Sequence, residues 1–148
     1  MSDNRLEALQ QFADIAKRAE IDGQVQQDPL RWVSEFEIPG GRSQVVYVRH
    51  SADDVEGSTL VTVFSPCKSF NNLDEAGMTH QRAIELLAMN EQMSLARYGI
   101  WDSPKEKMVV ASADLFLNRL DPSELRATTW HVAIAADAYE RKFQQDEY

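Results

Sequence analysis

The spacing of apolar residues in this chain switches from helical to alternating and back along its length. The resulting order is helix, three strands, helix, two strands and helix. That order admits few architectures, because a sheet made of hairpin-joined strands must bury one face and only the intervening helices can cover it. At 148 residues the chain is expected to form one domain, residues 1–148, with a core that needs no disulfide or metal.

The N-terminal segment Asn4 to Glu20 places Leu6, Leu9, Phe12, Ala13, Ile15, Ala16 and Ala19 on one half of a helical wheel, with Ser2 or Asp3 as its cap. This apolar arc is wider than the ~100° stripe that packing on one surface requires, so part of it is expected to face a partner. After a polar stretch from Asp22 to Pro29, Trp32, Phe36 and Ile38 alternate with Val33, Glu35 and Glu37 as in a half-buried strand. Pro39-Gly40-Gly41-Arg42 turns the chain. Gln44–His50 and Leu60–Ser65 read as two more strands joined by a polar loop from Ser51 to Ser58, and Pro66 is expected to stop the last of them.

A second helix is expected from about Asp74 to Gln92, and it is apolar on two sides. Ala76, Ala83, Ile84, Leu87 and Ala88 lie on one, Met78, Leu86, Met89 and Met93 on the other. Such a helix must be covered twice, by its own subunit or by a second one. Ala96–Trp101 and Met108–Leu115 supply the last strands, and Asp121-Pro122-Ser123-Glu124 opens the final helix as an acidic capping box with proline in the first turn. Leu125, Val132, Ala136, Tyr139 and Phe143 form its core stripe, while Trp130 and Ile134 project from the opposite side.

Composition narrows the function. A net charge of −9 with scattered basic residues argues against nucleic-acid binding, which needs clustered Lys and Arg. No apolar run approaches a membrane span, and the N-terminus has no apolar leader segment, so a cytoplasmic location is expected. His50, His80 and His131 fall in no ligand spacing, Asp53-Asp54 with Glu56-Gly57 reads as a solvated hairpin tip, and no cofactor or metal is expected. Cys67 could serve a small hydrolase only with a histidine in reach of its sulfur; a buried apolar role is the simpler reading.

The runs Leu86-Leu87-Ala88-Met89-Asn90, Met93 to Ile100, Val109 to Leu115 and Leu120 to Leu125 resemble YbjN-like proteins, which share the fold of class I type III secretion chaperones. The resemblance implies an α+β fold: a curved antiparallel sheet of about five strands flanked by helices, in the order α-β-β-β-α-β-β-α. It also implies a homodimer with the second helix at the interface, and a non-enzymatic role in holding an extended segment of another protein. On that reading Ile84, Leu87 and Ala88 form the dimer interface, and Leu9, Phe12, Ile15, Trp130 and Ile134 contact the partner. A small-ligand-sensing or regulatory domain is the alternative, with its ligand in an apolar pocket between sheet and helices.

Overall fold

The structure, a computed structural model, describes residues 3–72 and 77–143. Among them are three α-helices and six strands, an α+β arrangement in the order α-β4-α-β2-α. The helices are α1 (Asp3–Arg18), α2 (His80–Gln92) and α3 (Pro122–Phe143). The strands are β1 (Gln24–Gln27), β2 (Leu30–Ile38), β3 (Arg42–Val55), β4 (Ser58–Ser69), β5 (Arg97–Asp102) and β6 (Lys107–Phe116). They form one open antiparallel sheet, β1-β2-β3-β4-β6-β5.

Six strands replace the expected five because β1 lies inside the polar stretch that reads as a loop. Its sequence, Gln-Val-Gln-Gln, has one apolar residue and no alternation, and it forms a strand by pairing with Leu30–Val33 across a short turn. The next hairpin is also longer than its pattern suggests. β3 continues to Val55, and the chain reverses at Glu56-Gly57, both at positive φ (52° and 75°), a geometry that matches the twist of paired strands. Nor does Pro66 end β4. It sits at a register shift between Pro66 and Lys68, where a missing N–H is tolerated, and pairing with β6 resumes to Ser69.

Alternate residues of the central strands, Val46, Val48, Val61, Val63, Ala111 and Ala113, are buried beneath α1 and α3. On α1 most of the apolar half is used for this purpose: Leu9 and Phe12 are fully buried and Ile15 nearly so, while Leu6 and Ala13 at its margins are half-buried. Phe12 meets Trp32 of β2 edge-on, ring centroids 5.0 Å apart. The expectation that Leu9, Phe12 and Ile15 form a contact surface is therefore corrected. The arc is wide because α1 is wedged between sheet and α3, and burying each of these side chains contributes about 1.5–3 kcal/mol to the fold.

The cap expected at Ser2 or Asp3 involves side chains outside the described residues, as do Asp74 to Ala76 and the tail from Gln144. Gly77 to Thr79 are not helical, so α2 starts later than expected. Thr79 caps it by accepting a hydrogen bond from the Arg82 N–H at 3.1 Å. Of the capping box expected at α3 the Asp121 half forms, and among the described residues no bond returns from the Glu124 side chain to the Asp121 N–H: Asp121 accepts from the Glu124 N–H at 2.8 Å and from the Ser123 hydroxyl at 3.1 Å. These bonds hold the Asp121 carboxyl below its ordinary range.

Candidate protein-binding surfaces

The second helix is satisfied on one side only. Leu86 is buried and Met89 and Met93 pack on the core, whereas Ile84 and Leu87 are 53% and 69% exposed and Ala88 is exposed beside them. Of the two apolar sides read in the sequence, the subunit covers the methionine side and leaves Ile84, Leu87 and Ala88 of the other in solvent, with Ala83 half-buried. Leu95 and Ile100, on the turn and strand that follow, are also exposed. The helix is held by Arg82, whose guanidinium lies 4.6 Å from the Phe143 ring of α3, and by Asn90, which bonds the main chain of β5.

On α3 the core stripe is broader than expected, since Thr128, Thr129, Ala133, Ala135 and Asp137 are buried along with Leu125, Val132, Ala136 and Tyr139. Trp130 and Ile134 still face solvent, at 36% and 40% exposure, as their wheel position requires. Trp130 rests against Phe36 of β2, with 5.8 Å between centroids, and stands between two grooves. One, of about 470 Å³, has Ile21, Phe36 and Ala127 as apolar lining with Arg126 and Ser123 as polar members. The other, of about 700 Å³, runs past Glu35, Glu37 and the Pro39–Arg42 turn. Both open onto solvent.

The turn at Gly40-Gly41 is pinned to α3 by an ionic cluster. Arg42 Nε donates to Asp137 Oδ1 at 2.5 Å, and Gln44 Nε2 donates to Glu140 Oε2 at 2.8 Å. Asp137 is almost fully buried, and its hydrogen bond holds the Arg42 guanidinium more firmly in its charged form. Periodicity gives no sign of this cluster, because its bonded partners lie 95 and 96 positions apart. The face of the sheet opposite α1 and α3 carries a second feature that the pattern conceals. Tyr47, Phe64 and Trp101 follow one another across β3, β4 and β5, with centroid separations of 5.4 and 4.9 Å. Arg31 lies 4.0 Å from the Tyr47 ring and Arg49 lies 4.3 Å from that of Trp101. Cation–π contacts and the Arg49–Glu106 ion pair thus cover these aromatics, leaving Phe64 buried without a helix above it.

The remaining candidates are placed as follows. Cys67 is buried, and burial pushes its thiol well above the ordinary value. His50 pairs with Val61, six positions before Cys67 on the same strand, roughly 20 Å away at the rise of an extended chain. Its Nε2 instead lies 2.8 Å from Asp53 at the hairpin tip. His80 and His131 are exposed on their helices. No imidazole is thereby brought to the sulfur from β3, and the thiolate that nucleophilic chemistry requires is disfavoured.

No protein-family model matches this sequence, and no curated protein is detectably similar to it. Among the described residues no helix is long and apolar enough to cross a membrane.

Proposed function

We propose that this protein is a non-enzymatic protein-binding module that self-associates through α2 and holds a segment of a partner protein against the Trp130 face of α3. The reading is carried by the segregation of its exposed apolar side chains. Ile84, Leu87 and Ala88 share one face of α2, and Trp130 and Ile134 share one face of α3. Isolated apolar residues on a surface are ordinary, but paired ones on one helix face mark contact sites. The resemblance to YbjN-like proteins and secretion chaperones points the same way: it implies a curved sheet, a homodimer and capture of an extended segment.

The two surfaces have different tasks. A flat aliphatic helix face suits the self-complementary contact of a two-fold dimer, in which the same residues meet their own copies. An aromatic residue between two grooves suits anchoring of foreign side chains.

Sedimentation of Leu87→Glu and Ile84→Glu tests the first task. Because both side chains are exposed in the subunit, either variant stays folded, its thermal transition falling only by the share that subunit association contributes. It sediments as a monomer where the wild type sediments as a dimer. A monomeric wild type, or a dimer indifferent to both charges, removes α2 from the reading. Capture of partner from the native cell, compared between wild type and Trp130→Ala, tests the second.

A further inference from the structure

The edge of the sheet at β2 is only half occupied. β1 pairs with Leu30 to Val33 and goes no further, because the chain before Gln24 leaves the sheet toward α1, tied there by the Ser34 hydroxyl donating to the Asp22 carbonyl. From Glu35 to Ile38, β2 is paired with β3 on one side, and among the described residues no strand lies on the other. Alternate residues of such a stretch direct their N–H and C=O groups away from the sheet, which is the template on which an added strand forms.

The surroundings of this edge differ on its two faces. On the helix side Phe36, Ile21 and Trp130 offer the apolar groove. On the other side Glu35 and Glu37 are exposed and make no ion pair among the described residues. A strand added here alternates its side chains between these two environments.

We infer that the free edge Glu35–Ile38 accepts an extended segment of a partner protein in which apolar residues alternate with lysine or arginine. The apolar residues enter the groove beside Trp130, and the cationic ones meet Glu35 and Glu37. This deepens the proposed function by naming the site and the chemistry of its occupant. A second copy of the same edge is a poor occupant, since it brings like carboxylates together across the pair. An acidic or uniformly polar segment lacks one of the two matches. The net charge of −9 adds attraction for a basic segment at longer range.

The test uses the full-length protein and a short fluorescent synthetic peptide alternating lysine with valine. A control peptide of the same composition has its lysines and valines in separate blocks. Fluorescence anisotropy at physiological salt is expected to show the alternating peptide binding at least ~tenfold more tightly than the block peptide, because only alternation satisfies both faces. Glu35→Gln with Glu37→Gln lowers that affinity by about tenfold with the thermal transition in place, and Trp130→Ala lowers it by about tenfold in a protein that is folded at the assay temperature but melts earlier through the lost packing on Phe36. Equal binding of the two peptides overturns the inference, because charge attraction alone accounts for it. Loss in Trp130→Ala without loss in the double glutamine variant also overturns the edge, but leaves the Trp130 face as a binding surface. Insensitivity to both variants overturns the edge and that surface together.

Discussion

Asn90, in the last turn of α2, holds the main chain of Tyr98 at both of its polar groups: Oδ1 accepts from the Tyr98 N–H at 2.7 Å and Nδ2 donates to its carbonyl at 3.1 Å. Tyr98 lies on β5, an outer strand of the sheet, so this carboxamide substitutes for a neighbouring strand at one point of an otherwise open edge. Replacing Asn90 with alanine removes two hydrogen bonds and is expected to cost about 1–3 kcal/mol in urea unfolding. Amide exchange at Tyr98 should accelerate more than at Val63 in the sheet centre. Unchanged exchange would show that the edge is protected by something other than this side chain.

Gly23 is fixed by contact rather than by backbone angle. A Cβ at this position overlaps the buried six-membered ring of Trp32, which is itself wedged against Phe12 and has no room to retreat. Gly23→Ala should therefore destabilise the protein by about 1–3 kcal/mol, whereas the same change at Gly99, which has open space around it, should be close to neutral. Equal thermal shifts for the two variants would contradict this account.

The Arg42–Asp137 pair is asymmetric in its burial, with side chains 41% and 3% exposed. Removing the arginine strands a buried carboxylate, although Arg141 stands 3.8 Å from its other oxygen; removing the carboxylate leaves a guanidinium free to turn into water. Solvent screening at Arg42 brings the cost well below that of a fully buried pair, to about 1–2 kcal/mol for Arg42→Ala. Asp137→Asn should cost less. A denaturation series that ranks the two in the opposite order would refute the assignment of the burden to Asp137.

Stability should decline on the alkaline side. The Tyr98 hydroxyl is buried and donates to the Ala135 carbonyl at 2.6 Å, and burial raises both its pKa and that of Cys67 above the ordinary 10.0 and 9.0. Both groups stay protonated in the folded chain after the unfolded chain has begun to ionise. Their contribution is complete below about pH 8, begins to fall as the pH passes the ordinary values of 9.0 and 10.0, and goes on falling toward the raised folded values, by at most ~1.4 kcal/mol per pH unit for each group. Urea midpoints between pH 8 and 11 should fall, and Tyr98→Phe should flatten the upper part of that fall. A slope unaltered by Tyr98→Phe would assign the decline to other groups.

Elements with strong periodicity were legible in the sequence. The final helix with its Asp121 cap and the alternation around Trp32 and Phe36 stand in the structure where their residues place them, while the second helix keeps its end at Gln92 but begins only at His80. β1 was not legible because a polar strand has no pattern of its own and exists through its neighbour. Pro66 misled because a bulge accommodates it within paired strands. The width of the α1 arc was visible, but its meaning was not: a one-dimensional wheel cannot say that sheet and α3 both lie against Leu9, Phe12 and Ile15. Trp130 and Ile134 lie away from the core stripe in the wheel and in the structure alike, since the opposite side of a long helix follows from geometry alone.

The burial of α1 also bears on how the chain must be completed during synthesis. Arg126 of α3 donates to the carbonyl of Ala19 at 3.2 Å across 107 positions of sequence, so α1 is sealed by a helix that is synthesised long after it. Until α3 emerges, Leu9, Phe12 and Ile15 have only part of their eventual cover, and the unfinished domain exposes them to contacts that the folded one excludes.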